Sequence, residues 1–434
     1  MAGEGTRHGG QSQKPMPETK RHCAEIITIG NELLLGLVVN GNAAYLGRAL
    51  AEAGVPVRWS SVVADDMEEI QAALARALEH ASVIVITGGL GPTPDDMTKE
   101  AVAKFFNMEL ELRADILEAV EARFARFGRT MPEVSRGQAV FPRGAEVIPN
   151  PLGTAAGIHI TRDNCEVFVI PGVPHEMEGM TTNYLVPWLR ENLTSAPFLA
   201  KTLQTTGIGE SLILERLHGV EHINEVVQLA FLPSPTGVTL HLSAKSQDTY
   251  EAEAQLAEAE ELIRERIGEF VYATGKQSLA EVIARILTNR GKTIAVAESC
   301  TGGLVANTLT NIPGSSNFFE RGFVTYSNRS KTELLGVSEE LIGEHGAVSE
   351  EVVRAMAEGA RRKAKTDYGL ATTGIAGPDG GTPEKPVGTV WVAVADARET
   401  VAEKIQAGYT REMNKMRFAQ AVLFLLYKRL MGET

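Results

Sequence analysis

Residues 292–310 read KTIAVAESCTGGLVANTLT. The run up to Glu298 has the composition of a strand, Gly302 and Gly303 that of a sharp turn, and LVANTLT that of a helix start. The two glycines carry no Cβ, so the backbone there can approach a ligand closely. The free N–H groups of the following helix are expected to face an anion, either a phosphate or a developing oxyanion. Ser299 falls where the strand ends, the usual place for ligand contacts in an open α/β sheet. The same letters also suit a plain helix cap, with Ser299 and Thr301 as capping side chains.

Two further segments carry the same signature downstream. In GFVTYSNRSKTELLGV (322–337), FVTY reads as a strand ending at Tyr326. Ser330 with Glu333 reads as the capping box of the next helix. Lys331 is then the first helical residue, where the helix dipole disfavours a cation and a lowered pKa is expected. A solvated lysine and a half-buried tyrosine would fit as well. LATTGIAGPDGGTPEKPVGTVWVAV (370–394) reads as strand, Gly/Pro loop, strand, with Thr372 and Thr373 beside Gly374 and Gly377. Together with the helix SLAEVIARILTNRG from Ser278, these elements define a C-terminal α/β domain over 277–434 whose strand ends converge on one pocket.

The alternation of strand and helix also fills 23–185. EIITIG is followed by the helical pattern NELLLGLVVNGNAAYLGRALAEAG, SVIVITGG by a helix ending near Phe106, and CEVFVIPG by PHEMEGMTTNYL. Parallel βαβ units are expected. In SVIVITGGLGPTPDDMTKEAV (82–102), Thr93 and Pro94 read as N-cap and first helical residue, placing Asp95 and Asp96 in the first turn. Asp65 and Asp66 follow the strand WSSVVA. Two carboxylate pairs at strand ends could hold a divalent metal against a diphosphate, although acids are favoured at helix starts in any case. NPLGTAAG (150–157) and PGVPHEM (171–177) add loops to the same end.

Between these domains, 186–276 reads as a small α+β module. TLQTTGIGESLILERL is strand then helix, GVTLHLSAKS a strand, and EAEAQLAEAEELIRERIGEF an amphipathic helix with Leu256, Leu262, Ile263 and Ile267 inward.

With 55 acidic and 42 basic residues the net charge is −13, which disfavours direct nucleic-acid binding. Three scattered cysteines (Cys23, Cys165, Cys300) suit a reducing cytoplasm rather than a disulfide framework. No apolar run is long enough to span a bilayer, and no Cys/His cluster has zinc spacing. Residues 1–22 are polar and read as a disordered tail.

The strings AESCTGG, PGSS, VTYSNRSK, GAVSEEV and TTGIAGPDGGTPEKPVGTV, in this order, resemble the CinA family, whose C-terminal domain is similar to the PncC nicotinamide-nucleotide amidases. The resemblance implies hydrolysis of nicotinamide mononucleotide to nicotinate mononucleotide and ammonia, without a metal. It implies catalytic roles for Ser299, Tyr326 and Lys331. Pocket positions would be Gly302, Gly303, Ser316, Thr373 and Gly374, and Arg411 and Arg417 would suit the nucleotide phosphate. Cys300 is the rival nucleophile, since a thiol is intrinsically easier to activate.

The N-terminal region resembles the MoaB/MogA-like molybdopterin-binding fold, with its TGG-x-G-x-x-x-x-D-x-T pattern. The implied substrate site contains Gly88, Gly89 and Gly91, with Asp96 and Asp65 as partners on a divalent ion, Mg being expected. The implied activity is cleavage of ADP-ribose to AMP and ribose 5-phosphate. Molybdopterin binding or adenylyl transfer is the alternative, and a competence- or DNA-damage-associated scaffold is a third. The middle module resembles a KH-type topology without a GXXG loop, since GIGE stands at 207–210, which argues against RNA clamping. A homodimer acting on small-molecule nucleotides is expected.

Overall fold

The computed structural model describes residues 23–162, 164–193, 199–218, 223–244, 246 and 248–432, so the tail expected over 1–22 lies outside the described residues. These residues form two compact units, one of residues up to Leu199 and one holding the middle module together with the C-terminal domain.

In the N-terminal unit, β1 (Ala24–Ile29) is buried along its whole length. Its alternate side chains enter two different cores, Ile27 and Ile29 on one face and Ala24 and Ile26 on the other. That two-sided burial is why the run is continuously apolar rather than alternating. β2 (Val57–Val63), β1, β3 (Val83–Thr87) and β8 (Cys165–Ile170) are parallel neighbours in the order β2-β1-β3-β8. β4 (Leu110–Leu112) and β5 (Val140–Pro142) pair apart from this sheet. β6 (Glu146–Ile148) and β7 (Gly157–Arg162) extend it beyond β8, both antiparallel to their neighbours. The sheet is therefore mixed rather than wholly parallel, because β7 joins β8 by a short turn that leaves no room for a crossover helix.

The pattern expected as one helix after β1 is broken. A four-residue helix Asn31–Leu34 ends near Gly36, whose φ is 70°, and a new helix Gly41–Glu52 starts under the Asn40 side-chain cap. The helix Val186–Asn192, grouped with the middle module from sequence, buries Leu189 in the N-terminal core.

The middle module is a four-stranded antiparallel sheet in the order β10-β11-β9-β12, from β9 (Ala200–Thr205), β10 (Val227–Ser234), β11 (Gly237–Ala244) and β12 (Val271–Thr274). The helix Thr249–Ile267 buries Ala252, Leu256, Ala259, Ile263 and Ile267, while Leu262 stays partly exposed at the rim of that stripe.

The C-terminal domain orders its strands β14-β13-β15-β16-β17, from β13 (Ile294–Glu298), β14 (Phe319–Val324), β15 (Tyr368–Gly374), β16 (Thr389–Ala395) and β17 (Thr400–Gln406). β13 again feeds two cores. Ile294 and Val296 meet the helices Leu279–Asn289 and Arg411–Met431, and Ala295 and Ala297 meet the helix Glu350–Ala364. No helix among the described residues is long and apolar enough to cross a membrane.

Candidate active site

β13 runs parallel to both β14 and β15, with Glu298 opposite Val324 and Thr372. The chain therefore leaves the sheet at one end through Ser299, Thr325 and Thr373. Ser299 and Lys331 meet there: Lys331 Nζ lies 3.1 Å from Ser299 Oγ and donates to the Thr325 carbonyl at 2.9 Å. Lys331 is only 1% exposed, and its burial lowers its pKa.

The cause differs from the one expected. The N-cap is Ser327, which exchanges capping bonds with Ser330, so Lys331 sits beyond the first turn and begins a wider π turn over Lys331–Leu335. Desolvation, not a helix start, favours the neutral amine.

The glycine turn also differs. Neither Ser299 nor Thr301 caps the helix Leu304–Thr310, whose N-cap is Gly303 at φ 97°, a left-handed conformation suited to glycine. The cap is the carboxylate of Glu298, 1% exposed, which accepts from the amides of Gly303 at 2.9 Å, Val305 at 3.1 Å and Ala306 at 2.8 Å. These donors are therefore closed to a substrate anion. Ser299 N–H donates to Thr372 O and Gly302 N–H to Ser299 O. Earlier in the turn, Cys300 lines the pocket, whereas Thr301 is fully buried and does not. Glu298→Ala is expected to cost about 2–4 kcal/mol, since it strands three amides together. Urea unfolding followed in the C-terminal unit measures this, and a loss below about 0.5 kcal/mol would contradict the capping role.

A pocket of about 290 Å³ opens beside the pair. Its lining brings together Ser299, Tyr326, Lys331, Thr373, Gly374 and Arg411, as expected, and adds Asn328 and Asp379. Thr373 Oγ1 donates to Ala347 O, which fixes the loop opposite Ser299. Gly374 packs so that a Cβ would stand 2.6 Å from Thr389 O. Tyr326 is 60% exposed rather than half-buried, and β14 ends two residues before it, at Val324. Its hydroxyl accepts from Arg411 Nη2 at 2.8 Å, while Arg411 Nη1 donates to Gly377 O at 2.6 Å. Tyr326 thus presents a tethered phenol at the pocket wall, bonded to Arg411 rather than to Ser299 or Lys331. Cys300 is buried, and burial pushes its thiol up to about 12.

Other expected residues lie elsewhere. Ser316 is exposed ahead of β14, and parallel pairing puts that end of the strand roughly 16 Å from Ser299. Gly302 and Gly303 form the turn behind the pocket and do not line it. Arg417 lines a different cavity. Six residues beyond Arg411 on an α-helix is about 120° around the axis, so the two arginines cannot face one ligand. Lys415, about 40° from Arg411 on the helix, does not line the pocket either; its Nζ lies 3.7 Å from where a Gly302 Cβ would be, at the turn behind it.

At the N-terminal sheet, Ile29 pairs with Val63, Thr28 with Thr87 and Thr87 with Ile170, so four parallel strand ends converge. Gly88 lies at φ 117°, where a Cβ would come 2.3 Å from Ile29 O. Gly89 packs on Thr98 and Gly91 on the Asp96 carboxylate. Thr93 and Pro94 do not start a helix, which begins at Thr98. Instead Asp96 Oδ2 accepts from Thr93 N–H at 2.9 Å and Thr93 Oγ1 at 2.5 Å, closing a turn. Asp65 Oδ2 accepts from Asn31 N–H at 2.9 Å, and Asp66 caps the next helix. No group of three or more potential ligand side chains gathers among the described residues. The acids therefore do not make an all-protein cage. The hydrogen bonds of Asp65 and Asp96 to Asn31 and Thr93 use their Oδ2 atoms.

Three family descriptions match successive parts of the chain: "Probable molybdopterin binding domain" over residues 25–191, "Damage-inducible protein CinA KH domain" over 200–273 and "CinA C-terminal domain" over 276–430. The chain is 46% identical over 374 residues to a CinA-like protein of Gemmatimonas aurantiaca, covering 85% of this chain and 87% of that protein. It is 44% identical over 422 residues to a CinA-like protein of Chlorobium luteolum, covering 94% and 97%. Among solved structures, the competence/damage inducible protein CihA from Agrobacterium tumefaciens is 39% identical, covering 35% of this chain and 93% of that one, with a TM-score of 0.35. Identity of this depth across all three parts shows that the chain belongs to the CinA family.

Proposed function

We propose that the C-terminal pocket hydrolyses the carboxamide of nicotinamide mononucleotide, with Ser299 as nucleophile and Lys331 as general base. The observation that carries this reading is the buried amine 3.1 Å from a serine hydroxyl. A carboxamide is a poor electrophile and serine a weak nucleophile, so the hydroxyl needs a base within hydrogen-bond reach. With a neutral amine, one N–H donates to Thr325 O and the nitrogen lone pair accepts the Ser299 proton. Oγ then attacks the carboxamide carbon, and the backbone amide of Cys300, at the pocket lining, would meet the oxyanion. Lys331 returns the proton to the leaving nitrogen, the C–N bond breaks and ammonia departs. Water, deprotonated by Lys331, attacks the resulting ester, and the nicotinate product leaves as Ser299 regains its proton. Arg411 lines the pocket and suits the nucleotide phosphate, with Tyr326 holding it in place. A mass-spectrometric screen of nicotinamide mononucleotide, ADP-ribose, NAD and adenylated molybdopterin tests the reading. Unchanged nicotinamide mononucleotide would overturn it.

For the N-terminal domain we propose ADP-ribose cleavage to AMP and ribose 5-phosphate, with Asp65 and Asp96 each giving one oxygen to a divalent ion. When bound, the ion would neutralise charge developing on the phosphoryl oxygens. The diphosphate would lie at the four converging strand ends, beside Gly88, Gly89 and Gly91. Chelator is expected to stop ADP-ribose cleavage and leave deamidation unchanged, and Asp96→Asn to reproduce the first effect. Cleavage that persists in chelator would end the metal role. The match of residues 25–191 to a molybdopterin-binding description favours molybdopterin binding or adenylyl transfer as a second reading, and adenylated molybdopterin in the screen separates the two.

A further inference from the structure

We propose that a second cavity, on the other side of the C-terminal helix from the catalytic pocket, binds a small aromatic carboxylate through Arg417. The helix Arg411–Met431 carries Arg417, Ala421, Phe424 and Lys428 at helical spacing, which makes one stripe facing away from Arg411. That stripe, with Phe270 and the turns at 206–209 and 235–237 of the middle module, encloses about 330 Å³. This is the size range of small-molecule sites. The walls are in fixed contact, since a Cβ on Gly207 would come 2.5 Å from the Phe424 ring.

The charge in this cavity is uncompensated. Arg417 Nε is sealed from solvent without a hydrogen-bond partner among the described residues. The guanidinium carbon lies 4.1 Å over the Tyr409 ring, which orients the group but accepts none of its hydrogen bonds in plane. The other cation, Lys428, is already paired with Glu403 at 2.6 Å. The wall thus carries one net positive charge, from two cations and one carboxylate. A partly buried guanidinium without an anion is unfavourable, and a carboxylate is the planar, singly charged partner that its fork accepts at two points. Phe270 and Phe424 offer apolar surface for a flat ring body.

Hydrogen exchange of the full chain, read by mass spectrometry with benzoate, nicotinamide and inorganic phosphate as probes, tests this. Millimolar benzoate is expected to slow the amides of 206–209 and 236–237 severalfold. Nicotinamide, flat but uncharged, leaves them unchanged. Arg417→Met removes the effect, and so does Ala421→Phe, which fills the cavity while keeping the arginine and decides the matter if the first variant does not fold. Arg411→Met, which alters the catalytic pocket alone, keeps the protection. The proposal fails if benzoate gives no slowing, if nicotinamide slows these amides equally, if phosphate protects them and benzoate does not, or if protection survives both cavity variants.

Discussion

Ser299→Ala is expected to reduce ammonia release from nicotinamide mononucleotide by about a thousandfold or more, whereas Cys300→Ala keeps the rate within about twofold. The two side chains are neighbours in sequence, but the structure separates them chemically. Ser299 Oγ is hydrogen-bonded to the one buried amine of the pocket. Cys300 is buried in the domain core with its thiol pushed up to about 12, so it stays a thiol at neutral pH. Alkylating reagents should for the same reason slow the reaction little. On the proposed two-site reading, Ser299→Ala should leave ADP-ribose cleavage intact. Ammonia release and AMP formation are measured on the same preparations, with circular dichroism to verify folding. A folded but inactive Cys300→Ala would move the nucleophile to sulfur, and loss of both activities in Ser299→Ala would join the two sites.

The convergence of this site is legible in the sequence because its three strand ends are marked in the same way. AES, VTY and TTG each follow an apolar run and precede glycine or a helix, and parallel register then brings them together. The same logic, applied strictly, also excludes Ser316, which precedes its strand while Ser299 follows one. Helical periodicity likewise separates Arg417 from Arg411. Position 415, four beyond Arg411, repeats its face, and position 417 does not.

Other features were settled by competition that local letters do not resolve. Ser327 and Ser330 both begin a pattern of serine followed three residues later by a side chain that can bond back, SNRS and SKTE. The structure caps at the first, where Ser327 and Ser330 satisfy each other, and so moves Lys331 out of the first turn. Glu298 was invisible as a cap because it sits inside a strand, five residues ahead of the first amide it satisfies. At 93–96, ThrProAspAsp is a good helix start by composition, yet the Asp96 carboxylate turns back onto Thr93 and delays the helix to Thr98. In each case a polar side chain chose among several backbone donors, and tertiary packing decided which.

Lys331→Ala is expected to lower the deamidation rate by about a hundredfold or more, and Lys331→Arg nearly as much. The base role requires a neutral nitrogen, and burial works toward it by lowering the lysine pKa. Arginine keeps the charge but does not deprotonate in proteins, so it can stabilise an oxyanion yet cannot take the Ser299 proton. If Lys331 acted only through its charge, arginine would restore most of what alanine loses. The pH dependence gives a second discriminator. A lysine whose pKa falls on folding binds fewer protons folded than unfolded, between its folded value and 10.5. Stability therefore rises with pH through that window and is lowest below it, where the ammonium is buried with its charge. The rate should rise over the same lower limb, as the amine becomes free to accept a proton. Lys331→Met should flatten the stability slope of the C-terminal unit in that window and abolish the rising limb of the rate. The measurements are deamidation rate against pH for the wild type and all three variants, with binding of nicotinamide mononucleotide checked separately to detect a displaced side chain. Recovery of more than about a tenth of wild-type rate by arginine, or a rate that falls as pH rises through the window, would remove Lys331 from the role of base and leave it as the charge that holds the oxyanion.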